Sequence, residues 1–112
     1  MQQGFEAVNE VDEAGLPAGG SVDGVGISIF WQNGPLGRVG TEERVPPNGA
    51  FVEDVIAAVI QRIQHYQEVD GGEFSCRENA LAITKLEEAL HWLEARTARR
   101  VAAGVEGTHE GS

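Results

Sequence analysis

Two runs of apolar residues at helical spacing, parted by Asp70-Gly71-Gly72, constrain this chain more than any other feature. In the first, Val52, Val55, Ile56, Val59, Ile60, Ile63 and Tyr66 recur on one face; in the second, Ile83, Leu86, Leu90, Leu93, Thr97 and Val101 do the same. The spacing predicts helices over about 49–69 and 76–103. Asn48 offers an N-cap to the first, with Glu53 and Asp54 where the helix dipole favours anions. The second opens with Ser75-x-x-Glu78, the pattern of a capping box, and Gly104 offers a stop. Long helices joined by a short glycine loop must lie antiparallel, as a hairpin. The first is rich in β-branched residues, so it depends on packing more than on propensity.

Upstream the pattern changes. Gly26–Gln32 is dense in β-branched and aromatic residues and reads as a strand, with Ile27, Ile29 and Trp31 on one side and Ser28, Phe30 and Gln32 on the other. Asn33-Gly34-Pro35 turns the chain, and Gly37–Val45 reads as a short returning strand ended by Pro46-Pro47. Residues 1–24 carry five acidic residues, no basic one and a Gly/Pro-rich middle, and read as a flexible acidic leader. The predicted class is α+β: a short β-hairpin or small antiparallel sheet over about 26–45, then the helical hairpin, with 25–112 as a single ligand-binding domain. A 112-residue domain buries only roughly 60–68% of its unfolded surface, so its own core is thin and self-association would help.

The chain has 18 Asp and Glu against 8 Lys and Arg, a net charge of −10, which argues against DNA or RNA as a partner. A small anion in a local pocket remains open. Lys85 is the lone lysine among the basic residues, and arginine is the better planar fork for phosphate. Positive charge collects in one place, Arg96, Arg99 and Arg100 at the end of the second helix. No apolar run approaches the roughly 20 residues that span a bilayer. The N-terminus lacks the basic start and apolar core of a signal peptide, and the lone Cys76 fits a reducing cytoplasm.

With Leu90 at the middle of the apolar stripe, Ala82, Ala89, Arg96 and Arg100 fall on one flank. Small residues there admit a second helix, so the arginines either point into a junction with another subunit or merely complement the helix C-terminus in water. Asn79 is the other unusual position, a polar residue on the core-facing stripe that either meets a ligand or bonds its own backbone. Asn79 and Arg96 are 17 positions apart, roughly 25 Å of helix. They serve separate sites, or one pocket built from different chains.

Catalytic and metal chemistry find little support. His65, His91 and His109 lack metal-ligand spacing with each other or with Cys76. Cys76 has no neighbouring histidine in sequence to make it a nucleophile, and Glu87 and Glu88 read as a solvated helix face. Gly34-Pro35-Leu36-Gly37 lacks the spacing of a phosphate loop. Trp31 and Trp92 suit either packing or stacking on a base.

The run from Ser75 through Glu78-Asn79-Ala80 and Ile83-Thr84-Lys85-Leu86 to Leu93, then Glu94–Arg100, then Gly104-Val105-Glu106-Gly107-Thr108-His109, resembles the bacteriophage anti-Thoeris signal-sponge family. Trp31-Gln32-Asn33-Gly34-Pro35 and Pro47-Asn48-Gly49-Ala50-Phe51 through Ile56 share the resemblance, which covers roughly residues 27–109. It is related to the sponges that sequester CBASS cyclic nucleotides. The resemblance implies a non-catalytic binder, without cofactor or metal, that sequesters glycocyclic ADP-ribose in the cytoplasm of the infected bacterial host. It also implies dimers that can join into hexamers, with sites between subunits. Asn79, Arg96 and Arg100 match the family's binding positions, and Arg44, Phe74 and Trp31 are added on chemical grounds. A cyclic di- or trinucleotide sponge, a nucleotide hydrolase and a purely structural phage oligomer are the alternatives.

Overall fold

The computed structural model describes residues 4–37 and 40–103. The fold is α+β: a three-stranded antiparallel sheet, in the order β1 (Phe5–Val11), β2 (Pro17–Gly24) and β3 (Ile27–Trp31), then α1 (Val52–Gly72) and α2 (Arg77–Ala102) as a helical hairpin. The chain falls into two compact units, which are described separately. One holds the sheet, the segment after it through Phe51 and the end of α2 from Arg100; the other is Val52–Arg99.

In the sheet unit, Phe5, Glu6, Ala7, Val8 and Asn9 pair with Gly24, Asp23, Val22, Ser21 and Gly20. Gly20 through Gly24 pair in turn with Trp31 back to Ile27. Paired residues share a face. Phe5, Ala7, Val22, Ile27, Ile29 and Trp31 therefore lie on one face, and Glu6, Val8, Asp23, Ser28 and Phe30 on the other. Ser28 Oγ donates to Asp23 Oδ1 at 3.1 Å on the polar face. The alternation expected of β3 is thus present.

The acidic-leader reading of residues 1–24 is corrected, because β1 and β2 occupy most of that stretch. Asp12 builds the turn between them: its Oδ1 accepts from the backbone N–H groups of Ala14 and Leu16, both at 2.9 Å. Gly20, one of the glycines that read as breakers, serves close approach: a Cβ there would collide with the Val8 carbonyl oxygen.

The returning strand over 37–45 is also corrected. Among the described residues this stretch is a loop, with Val45 N–H bonded to the Leu36 carbonyl at 2.7 Å and Arg44 N–H to that of Thr41 at 3.1 Å. Positive φ at Gly34, Gly37 and Gly40, and the prolines at 35, 46 and 47, prevent a continuous ladder. What joins β3 instead is Ala50, in a parallel bridge to Trp31. Asn48 therefore does not cap α1. Its Oδ1 accepts from Asn33 N–H at 2.8 Å and its Nδ2 donates to the Asn33 carbonyl at 3.0 Å. Gln32 Oε1 accepts from the N–H groups of Asn48 and Gly49, at 2.8 and 3.3 Å. The two short motifs shared with the sponge family clasp each other.

In the helical unit, α1 keeps helical backbone until Val69 (ψ 145), Asp70 (φ 52) and Gly71 (φ 67) leave it, where the sequence places the break. The cap of α2 sits one residue later than the Ser75 pattern suggests. Cys76 is the N-cap, its Sγ accepting from Asn79 N–H at 3.4 Å. The N-cap's own N–H is held from α1 and not by a side chain of α2: Gln67 Oε1 accepts from Cys76 N–H at 2.9 Å while its Nε2 donates to the Cys76 carbonyl at 3.0 Å. The Gly104 stop, His109 and the motif Gly104–His109 lie outside the described residues.

The apolar stripes are only partly covered. Ile83, Leu86, Leu90, Leu93 and Thr97 are half-buried, whereas Val52, Val59 and Tyr66 are exposed. Among the described residues, Leu36 and Ile60 are the buried apolar side chains.

Candidate ligand-binding surface

α2 runs from Arg77 to Ala102, so its first and last turns are far apart along the chain. Phe74 stands in the α1–α2 turn and Asn79 in the first turn of α2. Phe74 is 62% exposed, and Asn79, third residue of the helix, is half-buried. Gln67 holds this end in place by gripping both backbone groups of Cys76. Asp70 hydrogen-bonds to Glu73 in the same turn and raises its pKa above the ordinary carboxyl value, with slight desolvation adding to the effect. The sequence missed Gln67; a glutamine three residues short of the Asp70 break was its one available signal.

Towards its other end α2 carries Arg96 and Arg99, both exposed, and then Arg100, which is buried and engaged by partners. The helix is unbroken from Arg77 to Ala102. The roughly 25 Å between Asn79 and Arg96 is thus a property of the molecule. One chain does not bring them onto a single small ligand.

Arg44 and Trp31 belong to the sheet unit. Arg44 is half-buried, and its Nη1 donates to the Gly37 carbonyl at 2.9 Å, bracing its own loop. Trp31 lines a shallow open hollow of about 350 Å³ with Glu10, Gly20, Phe30, Asn33 and Asn48. That lining holds amides and a carboxylate and no cation, so it does not resemble the arginine-rich end of α2. The six residues singled out from sequence therefore occupy three places: the hairpin turn, the late turns of α2, and the sheet unit.

Among the described residues, no three His, Cys, Asp or Glu side chains converge as a metal site. Nor is any helix long and apolar enough to cross a membrane. What the late turns of α2 offer is donor chemistry: guanidinium forks suited to phosphate oxygens.

Residues 26–98 match the family described as Acb2/Tad1, hairpin domain. Over 83 residues, 74% of this chain, the sequence is 53% identical to Thoeris anti-defense 1 of Bacillus phage SBSphiJ7. The aligned stretch is 52% of that phage protein, so the chain spans about half the length of the curated relative it matches.

Proposed function

The chain belongs to the Acb2/Tad1 hairpin-domain family, and from that premise we propose that it counters Thoeris defence by binding and sequestering glycocyclic ADP-ribose without breaking it. The observation that carries the reading is the 53% identity to a phage protein named for anti-Thoeris activity. The matched family region runs over α1 and most of α2, Asn79 and Arg96 included.

In this reading Arg96 takes the diphosphate together with Arg100, whose guanidinium is already held by other partners, Asn79 fixes ribose or base edges, and Phe74 adds an aromatic contact. Arg44 and Trp31 complete the proposed set from the sheet unit. The span of α2 between Asn79 and Arg96 supports a pocket assembled from different chains, and the sparse core of a single chain supports a dimer or larger homo-oligomer. Sequestration at nanomolar affinity needs about −12 kcal/mol. Two to four charge-assisted hydrogen bonds at about 1.5–3 kcal/mol each supply much of that. Stacking on adenine adds about 1–3 kcal/mol. The place of action is the cytoplasm of the infected host, where the signal is made.

The test is to incubate purified protein with glycocyclic ADP-ribose, wash, denature by heat and identify the released molecule by mass spectrometry. Intact ligand is the expected result. Hydrolysed product would make the protein an enzyme; retention of a cyclic di- or trinucleotide alone would move it to CBASS evasion; retention of nothing would leave a structural oligomer.

A further inference from the structure

Trp92 is 67% exposed in the middle of a long helix. An indole is among the most rewarding side chains to cover, and this one is open to a ligand or partner. At 100° per residue, Trp92 lies about 160° round α2 from Leu90 at the centre of the apolar stripe, and Lys85, Glu88, Arg96 and Arg99 fall within about 40° of it. All three cations are exposed. Lys85 Nζ already pairs with Glu88 at 3.7 Å, which leaves Arg96 and Arg99 as the cations best placed to serve a ligand. The His91 ring meets the indole edge-on, 5.6 Å between centroids.

In a chain of net charge −10, an aromatic with two arginines on its C-terminal side selects a narrow class of occupant. A bare phosphate has no use for the indole, and an apolar helix has no use for two guanidinium groups. A nucleotide uses both.

We propose that Trp92 is the base-stacking residue of the arginine site: a purine ring lies on the indole, and Arg96, one turn further, takes the phosphates attached to that purine, with Arg99 beyond. The Cβ atoms of residues 92 and 96 are about 6 Å apart on a helix. Residue 99 lies about 10 Å along the axis from residue 92. Those intervals match the ribose that separates a purine from its 5′-phosphates. This inference rests on the proposed function and adds to it a platform on which the base stacks.

The experiment compares wild type with Trp92→Leu and Trp92→Phe, by calorimetry with glycocyclic ADP-ribose and with base-free pyrophosphate, alongside gel filtration. Trp92→Leu should weaken the cyclic nucleotide by about ten-fold or more and leave pyrophosphate unaltered, while Trp92→Phe keeps most of the affinity. In 5-fluorotryptophan-labelled protein, the fluorine resonance missing from Trp92→Leu should shift when the nucleotide is added. Unchanged affinity in Trp92→Leu, or a stationary Trp92 resonance while calorimetry registers binding, overturns the assignment and leaves the proposed function standing. Lost affinity accompanied by a smaller particle on gel filtration also overturns it, and assigns the indole to contact with a second copy. Absence of binding by wild type overturns the proposed function, and this inference with it.

Discussion

Gly49 shows how much one missing methyl group matters here. A Cβ at that position would stand 2.6 Å from both the carbonyl carbon and oxygen of Trp31, and 2.8 Å from Gln32 N. These are backbone atoms held by the Trp31–Ala50 bridge, so they have little freedom to yield. Gly49→Ala should therefore cost about 2 kcal/mol or more, through lost clasp bonds rather than lost packing. That lowers the thermal midpoint by roughly 8 °C or more in a domain of this size, readable by circular dichroism. Arg96 makes the opposite case. Its side chain is exposed, so Arg96→Ala should leave the melting curve unchanged while cutting affinity for glycocyclic ADP-ribose by about 100-fold or more, the loss of two charge-assisted bonds. Calorimetry on the refolded variant checks it; normal signal depletion would remove Arg96 from the site.

Among the elements, α1 and α2 were legible because a 3.6-residue period survives polar interruption and because Asp70-Gly71-Gly72 is strong punctuation. β1 and β2 were not, since the acidic and glycine-rich composition of the stretch hides two strands held by pairing with their chain neighbours. Pro17–Gly24 has poor strand propensity by itself and becomes a strand by pairing on both sides, with Gly20 needed for the approach of Val8. Local pattern also misplaced the caps. Ser75 and Glu78 fit a capping box, yet Ser75 N–H bonds the Gly72 carbonyl and the cap falls on Cys76, whose N–H bonds Gln67 on the preceding helix. A long-range side chain that substitutes for a local one leaves no trace in spacing. The two readings differ in outcome. Gln67→Ala should destabilise the start of α2 by about 1–2 kcal/mol and speed amide exchange over residues 77–80, whereas Ser75→Ala should do neither. Equal effects from both would restore the local cap.

At the level of the molecule, the candidate site was legible in part. The arginines stand out by charge and Asn79 by its place on an apolar stripe, but no sequence pattern reports which chain completes a pocket. The structure sharpens the question because α2 runs unbroken between them. It also leaves Phe5, Phe30, Phe74 and Trp92 each more than half exposed. A chain with so little interior gains by association. Native mass spectrometry should give a species larger than one chain, and the thermal midpoint should rise with protein concentration. A monomer at every concentration would rule out shared pockets.

The mutual grip of Gln32 and Asn33 on Asn48 and Gly49 has a practical side. It fastens both stems of the stretch between them, so extra residues accepted at its tip do not pull on β3 or on the start of α1. Each doubling of such a loop costs only about 0.6 kcal/mol. Exposed Gly40 is accordingly the natural graft point for a fluorophore-bearing tag, one that reports on the protein in cells with the clasp left closed.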